Sequence, residues 1–186
     1  MPNSTNSVLR QKAQLMSDAQ MERTLVRMAL EIAESNDGVR DLAFVGIRRR
    51  GVPLAERLAK LIERAEGQAV PVGTLDITFY RDDLSTLDVK PVVQPSALGI
   101  EIGDKNVILV DDVLYTGRTV RAALDALFAH GRPARVQLCV LIDRGHRELP
   151  ISAEFVGRKV DTTMNEVIEV KVREIDQAEK VLLMEK

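Results

Sequence analysis

Residues 107–119 read Val-Ile-Leu-Val-Asp-Asp-Val-Leu-Tyr-Thr-Gly-Arg-Thr, and this stretch decides the fold of the chain. It starts with Val107–Val110, a short uninterrupted apolar run that is typical of a strand covered on both faces of a parallel sheet. Apolar residues then recur at helical spacing over Val120–His130, and Gly131 follows the end of that predicted helix. This order of strand, polar loop and helix predicts an α/β fold with a ligand at the carboxyl end of the strand.

The loop between the strand and the helix suits a phosphate monoester. A helix start offers free backbone N–H groups and the positive end of the helix dipole. Gly117 lets the backbone approach closely, and the hydroxyls of Thr116 and Thr119 add hydrogen-bond donors beside Arg118. The alternative is an ordinary helix cap followed by a turn.

Asp111 and Asp112 predict a second ligand group beside the phosphate. Two adjacent carboxylates at the end of a sheet repel each other and lose solvation, which is tolerated when they bind hydroxyls or a metal. A ribose presents two vicinal hydroxyls that can donate to them. The loop therefore predicts a site for a phosphorylated sugar.

The composition describes one ordinary domain over residues 1–186. Apolar residues make up 45% and charged residues 29%, and the net charge of −2 gives no general attraction to nucleic acid or to anionic membranes. The single cysteine, Cys139, lies in an apolar run and predicts a buried structural thiol. No apolar run reaches membrane-spanning length and no signal peptide is visible, so we expect a cytoplasmic protein without a membrane partner.

Strands and helices alternate along the chain, which predicts a mostly parallel, twisted, doubly wound sheet flanked by helices. The first helix begins near Ser17, where Ser17 and Gln20 match a capping box, and Pro53 opens the second helix, which runs to about Glu66. Strands are predicted at Leu42–Ile47, around Gly73, at Val107–Val110 and at Val136–Ile142, with Glu154–Val156 and Val167–Val172 in a small cap built from the C-terminal third. We expect Met1–Ser7 to be disordered.

Two basic segments complete the predicted site. Arg48-Arg49-Arg50 follows the first core strand and precedes a helix, which suits an anion, although a solvated basic turn is the simpler alternative. Arg81-Asp82-Asp83 opens a long polar segment with two prolines that ends near Leu98. Because long loops inside compact domains are usually functional, we expect a flexible β-arm over about residues 81–98; a surface charge cluster is the alternative.

Four segments together resemble the type I phosphoribosyltransferases: residues 107–119, Leu75–Leu84, Gly131–Pro133 and Asp143–Pro150. Residues 107–119 resemble the phosphoribosyl-pyrophosphate (PRPP) signature. The version here is most similar to the PyrR family, pyrimidine operon regulators that are also uracil phosphoribosyltransferases. The resemblance covers nearly the whole chain after about Lys12. It implies the type I fold with a small cap, or hood, and a long flexible arm.

The resemblance also implies a reaction and a set of site residues. Uracil N1 displaces pyrophosphate at the anomeric carbon of PRPP and forms UMP, with Mg²⁺ held through PRPP rather than by a direct protein ligand. Asp111, Asp112 and Arg81 are the implied catalytic residues. In this family Thr-Arg-Gly usually forms the pyrophosphate loop, and here Arg49 replaces the threonine. The implied PRPP and UMP contacts are Arg49, Arg50, Arg81, Asp111, Asp112, Val113, Leu114, Tyr115, Thr116, Gly117, Arg118 and Thr119, with Arg144, Gly145 and Val160 around the base.

The regulatory half of the resemblance is weaker. Relatives bind a messenger-RNA loop on a basic face of the dimer, and Arg27, His146 and Arg147 remain from that face. Val26 and Leu30 replace polar residues of the first helix, and Ser152 replaces an arginine; these changes remove contacts that set RNA affinity and specificity.

Three hypotheses follow. The first is a uracil phosphoribosyltransferase that also has a regulatory role, working as a homodimer or larger homo-oligomer with contacts through Val26 and Leu30. The second is a UMP-sensing RNA-binding attenuator, with pyrimidine-operon leader RNA as its partner and little catalysis. The third, a purine or orotate phosphoribosyltransferase, fits Asp143–Pro150 less well.

Overall fold

The computed structural model describes residues 9–82 and 97–186. The strands are β1 (Arg10–Met16), β2 (Leu42–Ile47), β3 (Val72–Leu75), β4 (Asn106–Leu114), β5 (Arg135–Asp143), β6 (Phe155–Lys159), β7 (Glu166–Lys171) and β8 (Lys180–Glu185). The helices are α1 (Asp18–Ser35), α2 (Gly51–Glu66), α3 (Arg118–Phe128) and the short α4 (Arg173–Asp176), with a 3-10 turn at Thr78–Tyr80. None of the described helices is long and apolar enough to cross a membrane.

The main sheet has five parallel strands in the order β3-β2-β4-β5-β6. One hydrophobic core packs α1 and α2 against one face, and a second core packs α3 against the other. Neighbouring residues of β4 therefore enter different cores: Ile108 faces α1 and α2, and Leu109 faces α3. This arrangement confirms the predicted doubly wound sheet, and it explains why the central strands are apolar throughout.

The strand β4 continues four residues beyond the predicted Val107–Val110. Asp111, Val113 and Leu114 still pair with β5, opposite Val140, Ile142 and Asp143. The two carboxylates are therefore part of the strand and not of a loose loop, which fixes their backbone.

The cap differs from the prediction in two ways. The strand predicted at Glu154–Val156 was assigned to the cap, and this is wrong: β6 pairs in parallel with β5, Cys139 opposite Phe155. Phe155 is buried in the core, and a Cβ at Gly157 would lie 2.4 Å from the carbonyl oxygen of Leu141, so this strand must lie close to β5. The cap is the antiparallel sheet β1-β8-β7, so that the N-terminal strand β1 completes it together with the C-terminal third.

The starts of the three long helices lie within two residues of their sequence signals. The side chain of Ser17 accepts the Gln20 N–H, and the Gln20 side chain accepts the Ser17 N–H, which confirms the capping box. The helix α2 begins at Gly51, two residues before Pro53, and ends at Glu66 with Gly67 in the left-handed conformation. The helix α3 begins two residues earlier than predicted, so Arg118 and Thr119 form its first turn.

The long segment is described only at its two ends. Arg81 and Asp82 follow the 3-10 turn, and Leu98 is buried with its carbonyl oxygen accepting the Thr74 N–H at 3.0 Å. The expected β-arm over residues 83–96 and the expected disorder of Met1–Ser7 lie outside the described residues.

Candidate active site

Nine of the fifteen predicted PRPP and UMP contacts meet at the carboxyl ends of β2, β3 and β4, where they line a cleft of about 430 Å³ or a smaller one of about 270 Å³ beside it. The other six line neither cleft: Leu114, Tyr115, Gly117, Arg144, Gly145 and Val160. Arg81 and Thr119 line both clefts and so join them. The larger cleft is lined by Ile47, Arg48, Arg49, Arg50, Asp76, Ile77, Thr78, Arg81, Asp111, Asp112, Val113 and Thr119, and the smaller by Arg81, Asp82, Thr116, Arg118 and Thr119.

Residues 115–119, which we call the phosphate loop, are shaped by their backbone. Gly117 has φ of +93° and occupies the cap position of α3, where no side chain caps the helix. A Cβ there would lie 3.4 Å from Ile151 and adopt a conformation that side chains disfavour. The carbonyl oxygen of Thr116 accepts the N–H groups of Glu148 and Leu149 at 2.9 and 3.2 Å. Hydrogen bonds from the loop after β5 therefore hold the phosphate loop in place, and the start of α3 faces the cleft.

The paired carboxylates line the cleft with different burial. Asp111 is buried, and its Oδ1 accepts the Asp112 N–H at 2.9 Å. Oδ1 of Asp112, which is half-buried, accepts the Val113 N–H at the same distance. Burial, and then the neighbouring Asp112 carboxylate, raise the pKa of Asp111 well above its ordinary value. A donor such as a sugar hydroxyl would supply the hydrogen bonds that burial withholds from this carboxyl group.

Residues 48–50, which we call the arginine loop, face the phosphate loop across the cleft. The Arg48–Arg49 peptide bond is cis, and the Arg48 N–H donates to the Leu75 carbonyl oxygen at 2.9 Å. Arg50 pairs with Asp176 of α4: Nε donates to Oδ2 at 3.0 Å, and Nη2 to Oδ1 at 2.7 Å. The Arg50 guanidinium lowers the pKa of Asp176.

Two residues of this region were missed by sequence analysis. Asp176 lies 126 residues along the chain from Arg50, in the connection between β7 and β8 of the cap. No local sequence pattern points to it. Asp76 follows β3 at the same edge of the sheet as Asp111, and this position is a signal that could have found it. Its pKa is lowered because its Oδ1 accepts the hydroxyl and the N–H of Thr78, at 2.6 and 3.0 Å.

The start of the long segment touches the phosphate loop through ion pairs. Asp82 accepts from Arg118 at 3.1 Å through Oδ2 and from Arg121 through Oδ1. Arg118 also donates from Nε to Glu148 at 2.7 Å. Arg118, predicted to contact the ligand, therefore bridges the long segment and the loop after β5, while Arg81 lines the cleft itself.

The residues predicted around the base directly follow two strands: Arg144 and Gly145 follow β5, and Val160 follows β6. The buried guanidinium of Arg144 lies 4.0 Å from the centre of the Tyr115 ring and donates to the hydroxyl of Thr162 at 3.1 Å. The Leu114 carbonyl oxygen accepts the Arg144 N–H, and Val160 donates its N–H to the Asp143 carbonyl oxygen at 2.9 Å. Gly145 has φ of +73°. Arg144 thus holds Tyr115 and the segment after β6 together, beside the place predicted for the base.

Arg147, one of the predicted RNA contacts, supports the phosphate loop. It donates from Nη2 to both carboxylate oxygens of Asp143 at 2.7 and 2.8 Å, and from Nε to the Ile151 carbonyl oxygen at 3.0 Å. Its Nη1 donates to the Tyr115 carbonyl oxygen. Burial works against the charge of Asp143, but the hydrogen bonds from Arg147 and from the Gly145 N–H outweigh it and lower the pKa.

The other two predicted RNA contacts are also engaged within the chain. Arg27 donates to Glu31 at 2.8 Å and to the Gly157 carbonyl oxygen at 2.6 Å, and His146 Nε2 lies 2.6 Å from the Thr162 carbonyl oxygen. Val26 and Leu30 are 40% and 54% exposed on α1. Within residues 9–82 and 97–186, no group of three or more His, Cys, Asp or Glu side chains could hold a metal ion.

Comparison with known proteins gives a consistent result. The family model described as phosphoribosyl transferase domain matches residues 12–174. The chain is 55% identical over 178 residues to the protein named bifunctional protein PyrR from Thermus aquaticus, covering 96% of this chain and 98% of the relative. It is 58% identical over 169 residues to the protein of that name from Alkaliphilus metalliredigens, covering 91% and 93%.

Solved structures agree on the fold. A hypoxanthine-guanine phosphoribosyltransferase from Bacillus anthracis superposes with a TM-score of 0.69 at 21% identity, covering 93% of this chain and 98% of that one. A hypoxanthine phosphoribosyltransferase from Trypanosoma cruzi superposes with a TM-score of 0.71 at 16% identity, covering 94% and 97%. At such identities the likeness shows the fold alone and says nothing about the substrate.

Proposed function

The chain belongs to the PyrR family of phosphoribosyltransferase-domain proteins, and we propose that it forms UMP and pyrophosphate from uracil and PRPP in the cytoplasm. One observation carries this proposal: the phosphate loop, the carboxylate pair and the arginine loop face one another across joined clefts. Their arrangement suits PRPP: the smaller cleft, beside the phosphate loop, takes the phosphate, and the larger cleft takes the ribose at the carboxylate pair and the pyrophosphate at the arginine loop.

Each part of PRPP has a matching part of the cleft. The 5-phosphate binds the phosphate loop at the start of α3, where the backbone is open to an anion. Asp111 and Asp112 accept hydrogen bonds from the ribose hydroxyls. Arg49, Arg50 and Arg81 contact the pyrophosphate. The base, which is the second substrate, is assigned to Arg144, Gly145 and Val160, which lie outside the lining of the two clefts. Val113 and Leu114 contribute backbone at the end of β4, because the side chain of Leu114 is buried in the core.

The reaction is a displacement at the anomeric carbon of the ribose. The bond from this carbon to the pyrophosphate oxygen breaks with its electron pair on the pyrophosphate, while N1 of uracil forms the new bond. The N1 proton passes to the departing pyrophosphate, directly or through water. Asp111 and Asp112 orient the sugar, and their negative charge favours the positive charge that develops on it. Arg81 lines both clefts, so it is placed to contact the leaving group.

The side chains at the cleft fit Mg²⁺ only together with PRPP. Carboxylate oxygens of Asp76, Asp111 and Asp112 line the cleft, and oxygen is the ligand that Mg²⁺ prefers. Mg²⁺ bound together with PRPP would offset the charge of the leaving group. The protein's part is to hold the sugar and the pyrophosphate in place beside it.

The test is formation of UMP from uracil, PRPP and Mg²⁺ by the purified protein, with hypoxanthine, guanine and orotate as competing bases. We expect uracil to be the only one of these bases that is converted to a nucleotide. Asp112→Asn should form UMP more slowly than wild type. Absence of UMP would exclude the enzyme, and a product from another base would change the substrate class.

Binding of pyrimidine-operon leader RNA is the second candidate: the relatives are named bifunctional, and RNA binding would be the second activity. We expect this RNA binding to be weak, because the side chains of Arg27, His146 and Arg147 already contact groups within the chain. A titration with the leader transcript at low and high salt, with and without UMP, decides: tight, salt-dependent binding that UMP enhances would make the attenuator the main function.

We propose that copies of this chain associate through the exposed face of α1. Val26 and Leu30 form an apolar centre, with Glu22, Arg23 and Arg27 towards one end, which is net positive, and Glu31 and Glu34 towards the other. Two such helices placed antiparallel bring opposite charges together. Val26→Glu with Leu30→Glu should lower the mass measured by light scattering, whereas Phe128→Glu on α3 should leave it unchanged.

A further inference from the structure

The pair between Arg50 and Asp176 connects the cap to the cleft. Both side chains are largely buried, and the two hydrogen bonds hold the guanidinium side-on. Oδ2 of Asp176 also accepts the Val172 N–H at 2.9 Å, so the carboxylate is itself fixed. Bidentate pairs of this kind are the geometrically specific form of ion pair.

This pairing leaves one face of the guanidinium for a ligand. Nε and Nη2 of Arg50 are used by Asp176, whereas Nη1 makes no hydrogen bond to any residue within 9–82 and 97–186. Arg50 lines the cleft directly before α2. Arginine side chains have many rotamers, and ordering one when a ligand binds reduces affinity. An arginine that is already oriented avoids this loss.

We propose that Asp176 is a positioning residue for the pyrophosphate group, holding Arg50 so that its Nη1 edge meets the anion. The inference rests on the proposed function for the identity of the ligand. Asp176 itself lies on the far side of the guanidinium and contacts no reacting atom. The cap thereby takes part in anion binding, although it contributes no side chain of its own to the lining of the cleft.

The same segment of the chain supplies a matched control. Glu174 and Glu179, on either side of Asp176, both pair with Arg57, two turns further along α2. Glu174 accepts from Arg57 Nε at 2.8 Å and from Nη2 at 2.6 Å. Glu174→Gln weakens the docking of the cap on α2 as Asp176→Asn does, but it leaves Arg50 paired. A general loosening of the cap would therefore affect both variants.

The experiment measures the affinity for pyrophosphate with Mg²⁺ by calorimetry, and the KM values for PRPP and uracil. In Asp176→Asn we expect the dissociation constant of pyrophosphate and the KM of PRPP to rise about three- to tenfold, because Arg50 must be ordered on binding. The KM of uracil and kcat should change little. Asp176→Glu, which keeps the charge, should recover most of the affinity, and Glu174→Gln should behave like wild type.

A spectroscopic readout is independent of activity. The Nε–H signal of Arg50 in a ¹⁵N spectrum should exchange slowly in the wild type and in Glu174→Gln, and should be lost in Asp176→Asn. The proposal is overturned if Asp176→Asn binds pyrophosphate as tightly as wild type, if Glu174→Gln weakens binding equally, or if wild type does not bind pyrophosphate. A wild type that binds pyrophosphate but forms no UMP contradicts the proposed reaction alone.

Discussion

The phosphate loop and the arginine loop face each other across one cleft, yet they present positive charge in different ways. The phosphate loop uses its backbone: Gly117 shapes it, and Arg147, Glu148 and Leu149 hold its carbonyl oxygens from behind. The arginine loop uses side chains, of which Arg50 is oriented by a partner from the cap.

The two loops therefore lose affinity for different reasons. A backbone site is arranged before the ligand arrives, because the strand, the helix and the loop after β5 fix it. It fails when its shape changes. A side-chain site depends on charge and on rotamers, so it loses affinity in steps as single charges are removed.

The largest loss of activity is expected at Asp111, which lines the cleft between the two loops. A Cβ at Gly51 would lie 2.3 Å from the Val110 carbonyl oxygen, so α2 and β4 touch directly beside this carboxyl group. Asp111→Asn should lower kcat/KM for PRPP by on the order of 10²–10³, since an electrostatic contact to the sugar is lost. Steady-state kinetics of UMP formation measure it, and a loss below about threefold would contradict the assignment.

The same substitution should raise stability at neutral pH. The pKa of Asp111 is raised in the folded state, so between the ordinary pKa of about 3.9 and the raised value the folded protein binds more protons than the unfolded one. Stability then falls as the pH rises through this window. Asn cannot ionise, so Asp111→Asn should unfold at higher urea concentration than wild type at pH 7.5, with the difference vanishing near pH 4. If the difference in unfolding between Asp111→Asn and wild type were the same at pH 4 and pH 7.5, it would contradict the effect of burial on the pKa of Asp111.

Gly117→Val tests the backbone loop alone. The left-handed conformation and the contact with Ile151 both disfavour a side chain, so we expect a loss of about 100-fold in kcat/KM as the loop shifts. Gly67→Val is the matched control: Gly67 has φ of +72° and no neighbour within 4 Å. Both variants should lose similar stability, and only Gly117→Val should lose PRPP binding. Equal activity in the two would contradict a backbone site.

Arg147→Ala removes the support behind the phosphate loop. We expect a loss of about 2–3 kcal/mol in the free energy of unfolding at pH 7, because Asp143 keeps a half-buried charge without its partner. The kcat/KM value should fall roughly tenfold. Urea unfolding measures the first effect, with Arg135→Ala, at the other end of β5, expected within about 0.5 kcal/mol of wild type.

The pH dependence of that loss has a defined sign. The pKa of Asp143 is lowered in the folded state, so its contribution to stability is present above the ordinary pKa of about 3.9. It is lost as the pH falls through the lowered value. The difference between wild type and Arg147→Ala should therefore narrow below about pH 4; a constant difference would place the effect elsewhere.

Arg49→Ala should have the smallest effect. Arg49 lines the cleft beside Arg48, Arg50 and Arg81, which continue to attract the pyrophosphate. We expect the KM of PRPP to rise about three- to tenfold with little change in kcat. Arg40→Ala, an exposed arginine before β2, should leave the KM unchanged. A loss as large as that of Gly117→Val would remove the distinction between the two loops.

Local sequence signals predicted the main sheet and the helices that cover it. The capping pair at Ser17 and the apolar run at Val107 each depend on neighbours within a few residues. The cap was predicted less well. The strand β1 is mostly exposed and polar, so its sequence lacks the alternation that marks a half-buried strand. Phe155 lies in a run too short to show which sheet it joins.

For the site, the residue types and their positions at strand ends could be predicted, but the pairing of side chains could not. Asp176 reaches Arg50 only because the cap folds back over α2. Arg147 was expected on an RNA-binding face, since a basic residue in a loop carries no sign of its partners. Only the fold shows that it faces the Tyr115 carbonyl oxygen.

The order of strands in the cap has a consequence for biosynthesis. The strand β1 emerges from the ribosome first, yet Arg10 faces Glu185, 175 residues later in translation. The five-stranded sheet can form on the nascent chain before β8 has been made and paired with β1. Until then the cap is incomplete and cannot hold α4 in place. We expect pyrophosphate affinity to be among the last properties that a newly made chain acquires, and prematurely terminated chains to lack it.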